Sequence, residues 1–309
     1  MGGGTAFGAA MILGGMAVLG FTDNFVRLIA ADGGLWQFHA LRSAIALPLL
    51  LAAALAIGLA IRPRRPGRVA LRSGVQAVAM LLYFGALPFM PIAQVGAALF
   101  TAPIWVLLLA ALLFGRPIGP RRMAAVALGF LGVLVMLRPD PANLSALTLM
   151  PLAAGALYGL SNLLTREWCA EESPAALVGT FFAALGLAGL AALGLLALLD
   201  PPAAWREAAP FLVSGWRPLT GAFLLWTAVQ AVGSLVAVAM IARGYQSGET
   251  ATLAVFEYSF LVSAGLWAWA LWGETLAPLD LAGIGLIVAA GAVIAGAARA
   301  GRAVRPAKP

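Results

Sequence analysis

LGFTDNFVR at Leu19–Arg27 and YGLSNLLTR at Tyr158–Arg166 align without a gap at an offset of 139 residues. Gly20 falls on Gly159, Thr22 on Ser161, Asp23 on Asn162 and Arg27 on Arg166. A second pair, FGRP at 114–117 and WGET at 272–275, follows in the same order. The chain therefore reads as an internal duplication, and the fold expected for one copy is expected for the other.

Around these marks the chain is apolar. Of 309 residues, 62% are of the AVILMFWYC types and 10% are charged, whereas soluble domains carry about 25% charged residues. Such a composition cannot cover an aqueous surface, which excludes a soluble enzyme, a secreted disulfide scaffold and a disordered chain. About 20 helical residues cross roughly 30 Å of hydrocarbon. Apolar windows of that order fall near 7–30, 35–60, 70–88, 92–114, 121–138, 148–167, 174–199, 219–242, 249–272 and 279–298. ADGG, RPRRPGR, FGRPIGPRR and RPDPANLS break them, and Pro88 with Pro91 separates the third from the fourth. The expected fold is an all-α integral membrane protein with ten transmembrane helices. The first repeat, helices 1–5, spans 5–139 and the second, helices 6–10, spans 148–298. An odd number of crossings per copy inverts the second repeat relative to the first.

Charge placement fixes an orientation. With the N-terminus in the cytoplasm, the cytoplasmic loops and tail hold Arg62, Arg64, Arg65, Arg68, Arg72, Arg116, Arg121, Arg122, Arg166, Arg243, Arg299, Arg302, Arg305 and Lys308. The outer loops hold Arg138, Arg206 and Arg217. This positive-inside bias accounts for the net charge of +7 without nucleic acid, and it puts both termini in the cytoplasm. MGGGTAFGAA has no basic flank, so the first apolar stretch reads as a retained span and not a signal peptide. Trp36, Trp205 and Trp216 read as anchors at the lipid interface. One cysteine, Cys169, allows neither an internal disulfide nor a thiolate metal site. One histidine, His39, cannot build a multi-histidine site and reads as a satisfied polar group near the interface. Neither a P-loop, an HExxH motif nor a serine elbow occurs, so no catalytic residue, metal or cofactor is expected.

Charge inside a membrane is costly unless paired or hydrated, and it marks candidate functional groups. Asp23 and Arg27 stand four residues apart, a spacing that pairs them on one helix face. Arg42 lies at similar depth and is expected to join them in an outer-side gate, with Arg166 repeating the role near the inner side. The structural alternative ties helices 1 and 2 together while Arg27 snorkels outward. Glu257 lies well inside the 249–272 span, about 12 Å along a helix. It is expected to line a central cavity, meeting a cationic cargo or carrying a coupling proton, because burial disfavours its charged form. The alternative is an ion pair or a buried hydrogen bond. Gln76, Tyr83, Gln94, Trp105, Tyr158, Asn162 and Tyr258, with Gln230, supply the stacking area and directed hydrogen bonds of a binding cavity. Gly155 and Gly159 form a close-packing pair, and Pro103 interrupts the fourth span as a hinge or a static kink.

Several of these stretches together resemble a known family. Asp23-Asn24-x-x-Arg27, Arg42-Ser43, ALPFMPIAQVGAALFTAPIW at Ala86–Trp105, GFLGVLVMLRP at Gly129–Pro139, AVFEYSF at Ala254–Phe260 and WGET are similar to the EamA-type drug/metabolite transporters. The resemblance implies a ten-helix inner-membrane carrier, monomeric or homodimeric. Its cargo would be a small organic metabolite (amino-acid-like, S-adenosylmethionine-like, vitamin or nucleobase-related) moved by alternating access. Arg116 departs from the acidic residue usual after the fourth helix, whereas Glu274 keeps it in the second half. A passive channel or facilitator is one rival reading, which would lack saturation and counterflow. A membrane enzyme acting on lipid is the other, and it would need convergent catalytic groups at one interface.

Overall fold

The computed structural model describes residues 3–115, 118–138, 146–248 and 253–303, and these form helices without a strand. Helix α1 (Gly3–Thr22) passes through a 3-10 turn at Asp23–Phe25 into α2 (Val26–Asp32). There follow α3 (Leu35–Ile57), α4 (Pro66–Ala86), α5 (Ile92–Leu99), α6 (Ala102–Phe114) and α7 (Pro120–Leu137). The second half comprises α8 (Ala146–Trp168), α9 (Pro174–Leu199), the short α10 (Ala203–Ala208) and α11 (Pro210–Val213), and α12 (Gly221–Gln246). A 3-10 turn at Ala254–Tyr258 then leads into α13 (Ser259–Trp272), and α14 (Pro278–Ala303) closes the bundle.

The helices are apolar on their outer faces as well as inside. Leu55, Leu112 and Leu198 are 72%, 79% and 85% exposed, an arrangement that is stable only where lipid replaces water. Gly4–Asp32, Leu35–Ile57, Pro66–Ala86, Gln94–Phe114, Pro174–Leu199 and Gly221–Gln246 are long and apolar enough to cross a bilayer. Met123–Val135 and Pro278–Val293 are shorter apolar helical stretches. The chain is therefore a helical membrane protein.

Helix ends follow local chemistry. Gly58, Gly115 and Gly273 adopt φ of +69°, +61° and +69° and end α3, α6 and α13, the left-handed cap that glycine adopts without a Cβ clash. Gly115 and Gly273 are the glycines of FGRP and WGET, so that sequence match marks one cap used twice. Arg116 itself lies outside the described residues.

Packing pairs helices across the two halves. Helix α1 packs on α12 and α8 on α4; α3 packs on α9, and α7 on α14. Helix α1 also meets α13, as α8 meets α6. Close approach needs small residues. A Cβ on Gly155 would lie 2.5 Å from the Ala98 carbonyl oxygen, and one on Gly159 would lie 2.8 Å from that of Ala102.

Two helical paths are interrupted part-way, at Asp23–Phe25 and at Phe100–Thr101, and a 3-10 turn at Ala254–Tyr258 leads into α13. Pro103 does not sit inside an unbroken helix; α5 ends before it, and Pro103 occupies the first turn of α6, where its missing N–H leaves no bond unmade. Backbone carbonyls beside such breaks need donors, because hydrocarbon supplies none. Asn24 Nδ2 donates to the Gly20 carbonyl at 2.7 Å, Thr101 Oγ1 to that of Ala98 at 2.7 Å, and Ser259 Oγ to that of Phe256 at 2.7 Å.

Candidate functional site

The first interruption decides where the polar groups of α1 and α2 go. A 3-10 turn advances farther per residue than an α-helix, so the four-residue register between Asp23 and Arg27 is lost. The expected Asp23–Arg27 pair does not form. Asp23 turns inward at 4% exposure, and its carboxylate accepts from the Tyr83 hydroxyl at 2.9 Å and from Gln230 Nε2 at 2.6 Å. Arg27 turns outward, pairs with Glu274 and lies 5.0 Å from the Trp272 ring centre.

Arg42 is buried beside them. Its Nε donates to Ser234 Oγ at 3.1 Å, and its guanidinium carbon sits 5.6, 4.9 and 5.2 Å from the ring centres of Phe38, Phe84 and Phe182. Asp23 lies within electrostatic reach of it. A desolvated cation–π contact contributes about 2 kcal/mol, against an effective burial penalty of several kcal/mol for the charge. Arg42 Nη1 has no partner, and such an orphan costs about 1–3 kcal/mol more.

Between the halves lies a cavity of about 40 Å³. Asp23, Arg42, Gln76, Tyr83 and Tyr158 reach its wall, with Phe84, Phe100, Phe181 and Phe260 supplying aromatic surface. Glu257 does not line it, contrary to expectation. The 3-10 turn that carries Glu257 buries it completely; its Oε1 accepts from the Tyr158 hydroxyl at 2.6 Å, and the buried Tyr245 hydroxyl also stands beside the carboxylate. Tyr158 is thus the member of that pair on the cavity wall.

The other sequence-selected groups disperse. Gln94 lines a separate cavity of about 310 Å³ with Glu274, Thr275 and Asp280. The Trp105 indole donates to Thr101 Oγ1 at 3.1 Å and packs edge-on against Phe130. Tyr258 is buried against α14, where a Cβ on Gly291 would lie 2.2 Å from its ring. Asn162 is buried, with its side-chain amide facing the Tyr158 hydroxyl. His39 is not satisfied: both ring nitrogens lack partners, and the ring packs against Phe38 and Phe84. The Trp36 indole donates to the Leu212 carbonyl at 2.7 Å, so it ties α3 to α11 as well as standing near a boundary.

Arg72 is the group that sequence reasoning misplaced. It is not a loop charge but 2% exposed, with Nε donating to Thr165 Oγ1 at 2.7 Å and Nη1 unpartnered. Helical spacing carried the signal. Arg72, Gln76 and Tyr83 fall on one face of α4 at about 100° per residue, and all three are buried.

The two ends of the bundle differ. At the Arg27–Glu274 end, a vestibule of about 510 Å³ is lined by α2, the segment 87–92 and Glu274, and it shares Asp23 with the central cavity. At the other end Glu172, 5% exposed, accepts from the backbone N–H of Arg64 and of Arg65, each at 2.8 Å. Gln246 Nε2 donates to the Glu172 carbonyl at 2.7 Å. The loop after α3, the turn after α8 and the end of α12 are thereby stitched together. Among the described residues no three His, Cys, Asp or Glu side chains converge as a metal site.

Comparison with known proteins agrees with a transport architecture. Residues 6–138 match the EamA-like transporter family. A riboflavin transporter of Rhizobium johnstonii is 27% identical over 84% of this chain and 79% of its own. A riboflavin transporter of Brucella anthropi is 29% identical over 38% of this chain and 42% of its own, and an uncharacterized transporter of Helicobacter pylori is 24% identical over 94% of both. A solved crystal structure superposes with a TM-score of 0.66 at 20% identity, covering 94% of this chain and 98% of that one, which establishes likeness of fold.

Proposed function

We propose that this chain, whose residues 6–138 match the EamA-like transporter family, is a secondary carrier that moves a small organic metabolite by alternating access. The carrying observation is the contrast along one axis. A vestibule of about 510 Å³ leads to Asp23, the cavity beyond it is only about 40 Å³, and at the other end Glu172 ties the loop after α3 to the turn after α8. A channel needs a continuous path, and this arrangement interrupts it. A lipid-modifying enzyme needs convergent catalytic groups at one interface; here the buried polar groups surround a mid-bundle cavity.

The ten-span, two-repeat reading, 5–139 and 148–298, draws support from the packing. Exchange of the halves turns the α1–α12 contact into α8–α4 and the α1–α13 contact into α8–α6, while α3–α9 and α7–α14 map onto themselves. A two-fold relation between inverted copies produces this pattern. With both termini in the cytoplasm of an inner membrane, the vestibule faces outward and the Glu172 stitches face inward. Cysteine-accessibility mapping tests the orientation: residues 62–68 and 299–308 should react from the same, cytoplasmic side, and reaction from opposite sides refutes it.

Riboflavin is the first cargo to test, because relatives that cover most or part of this chain carry that name. Glu257, fully buried beside the hydroxyls of Tyr158 and Tyr245 and without a cation on it among the described residues, is assigned the coupling proton. Proteoliposomes preloaded with unlabelled riboflavin should accumulate labelled riboflavin transiently. Saturable counterflow supports a carrier; linear, unsaturable flux identifies a passive pore, and a chemically altered product identifies an enzyme.

A further inference from the structure

Two residues that line the central cavity each carry a buried polar atom without a partner, one a donor and the other an acceptor. Arg42 Nη1 is a donor and Gln76 Oε1 is an acceptor; both residues line the cavity, at 2% and 4% exposure. Asp23 differs in that each of its carboxylate oxygens already accepts a protein donor, from Tyr83 and from Gln230. Native interiors leave few such atoms unmade, and each calls for an explanation.

The charges restrict what could satisfy them. A cation would face the Arg42 guanidinium, and an anion would face Asp23, which lies within electrostatic reach of Arg42. A neutral ligand avoids both penalties. The remaining wall is aromatic, with Phe84, Phe100 and Phe260 among its members, and aromatic faces favour a planar ring. We infer that Arg42 and Gln76 read the edge of a neutral planar heterocycle in which a carbonyl adjoins a ring N–H, the lactam or imide edge. The carbonyl accepts from Arg42 Nη1 and the ring N–H donates to Gln76 Oε1. At about 40 Å³ the closed cavity holds only a few waters, so the ring enters when the wall shared with the vestibule at Asp23 opens.

This inference rests on the carrier reading, and its test separates the two. Purified full-length protein in lipid nanodiscs is titrated calorimetrically with riboflavin, N3-methylriboflavin, uracil and 1,3-dimethyluracil. Methylation deletes the ring N–H and leaves the carbonyls. The expected result is at least tenfold weaker binding of each methylated ligand. Gln76→Leu should weaken the unmethylated ligand about tenfold and erase the discrimination, and Arg42→Lys should weaken methylated and unmethylated forms alike. Should either variant fail to fold, the methylated ligands on the unaltered protein still decide. Methyl-sensitive binding of uracil without binding of riboflavin supports the edge-reading site and removes riboflavin as cargo. Riboflavin binding that ignores both N3-methylation and Gln76→Leu overturns the site and leaves the cargo standing. Binding of neither imide overturns the site, whatever else the carrier moves.

Discussion

Glu172→Ala should open the end of the bundle that Glu172 closes, and the lone cysteine can report it. Cys169 is fully buried beside Val69 and Leu177, three residues from Glu172, and burial pushes its thiol up, so a maleimide reacts with it when the turn opens. In the closed form the Glu172 carboxylate accepts two backbone N–H groups. A hydrogen bond to a charged group contributes about 1.5–3 kcal/mol. At the low end the pair holds the turn shut by about 3 kcal/mol, and at roughly 1.4 kcal/mol per decade its loss raises the labelling rate about 10²-fold. Glu172→Gln keeps one acceptor oxygen and should give about tenfold. Both substitutions remove the negative charge that helps raise the Cys169 thiol, so that effect is common to them and the ratio between the variants isolates the hydrogen bonds. The assay is a maleimide time course at fixed pH on protein whose monodispersity and helical signal are unchanged. Labelling of Glu172→Ala at the unaltered rate, on folded protein, would refute the latch.

Other outcomes follow from the same contacts. Gly155→Ala places a Cβ 2.5 Å from a backbone carbonyl that cannot rotate away; overpacking of this kind costs about 1–3 kcal/mol, to be read as a lowered Tm in detergent, and an unchanged Tm contradicts the close contact of α8 with α5. Arg27→Ala removes an ion pair whose side chains are 47% and 37% exposed, so membrane abundance and Tm should hold within about 1 kcal/mol while transport falls; loss of the protein from the membrane would mark the pair as structural. Glu257→Gln should keep substrate counterflow and flatten its pH dependence. Retention of the unaltered pH profile removes Glu257 as the coupling group.

Much of the architecture was legible because hydrocarbon leaves so few options. Apolar windows, loop prolines and glycines placed the helices to within a few residues, and the FGRP and WGET match found two equivalent glycine caps. The side-chain geometry was less legible. Asp23 and Arg27 look like a helical pair at four-residue spacing, yet a 3-10 turn sends one to Tyr83 and the other to Glu274; nothing in the local residue types announces that turn. Arg72 was counted as a loop charge because it precedes the apolar part of its helix, although its phase with Gln76 and Tyr83 pointed inward. Glu172 escaped notice because its role is to receive backbone N–H groups from a distant loop. Such a role leaves no residue-type signature in that loop.

The two interrupted helical paths also bear on what motion demands of this molecule. An unbroken helix transmits bending along its whole length, so displacing one end disturbs packing at the other. A rod broken part-way, its break bridged by the Asn24 amide or the Thr101 hydroxyl, can bend at that point with less disturbance of its far end. For the proposed carrier, the consequence is that segments nearest the vestibule would swing as short levers while their remote portions stay docked, so that admitting a ligand would be a local rearrangement.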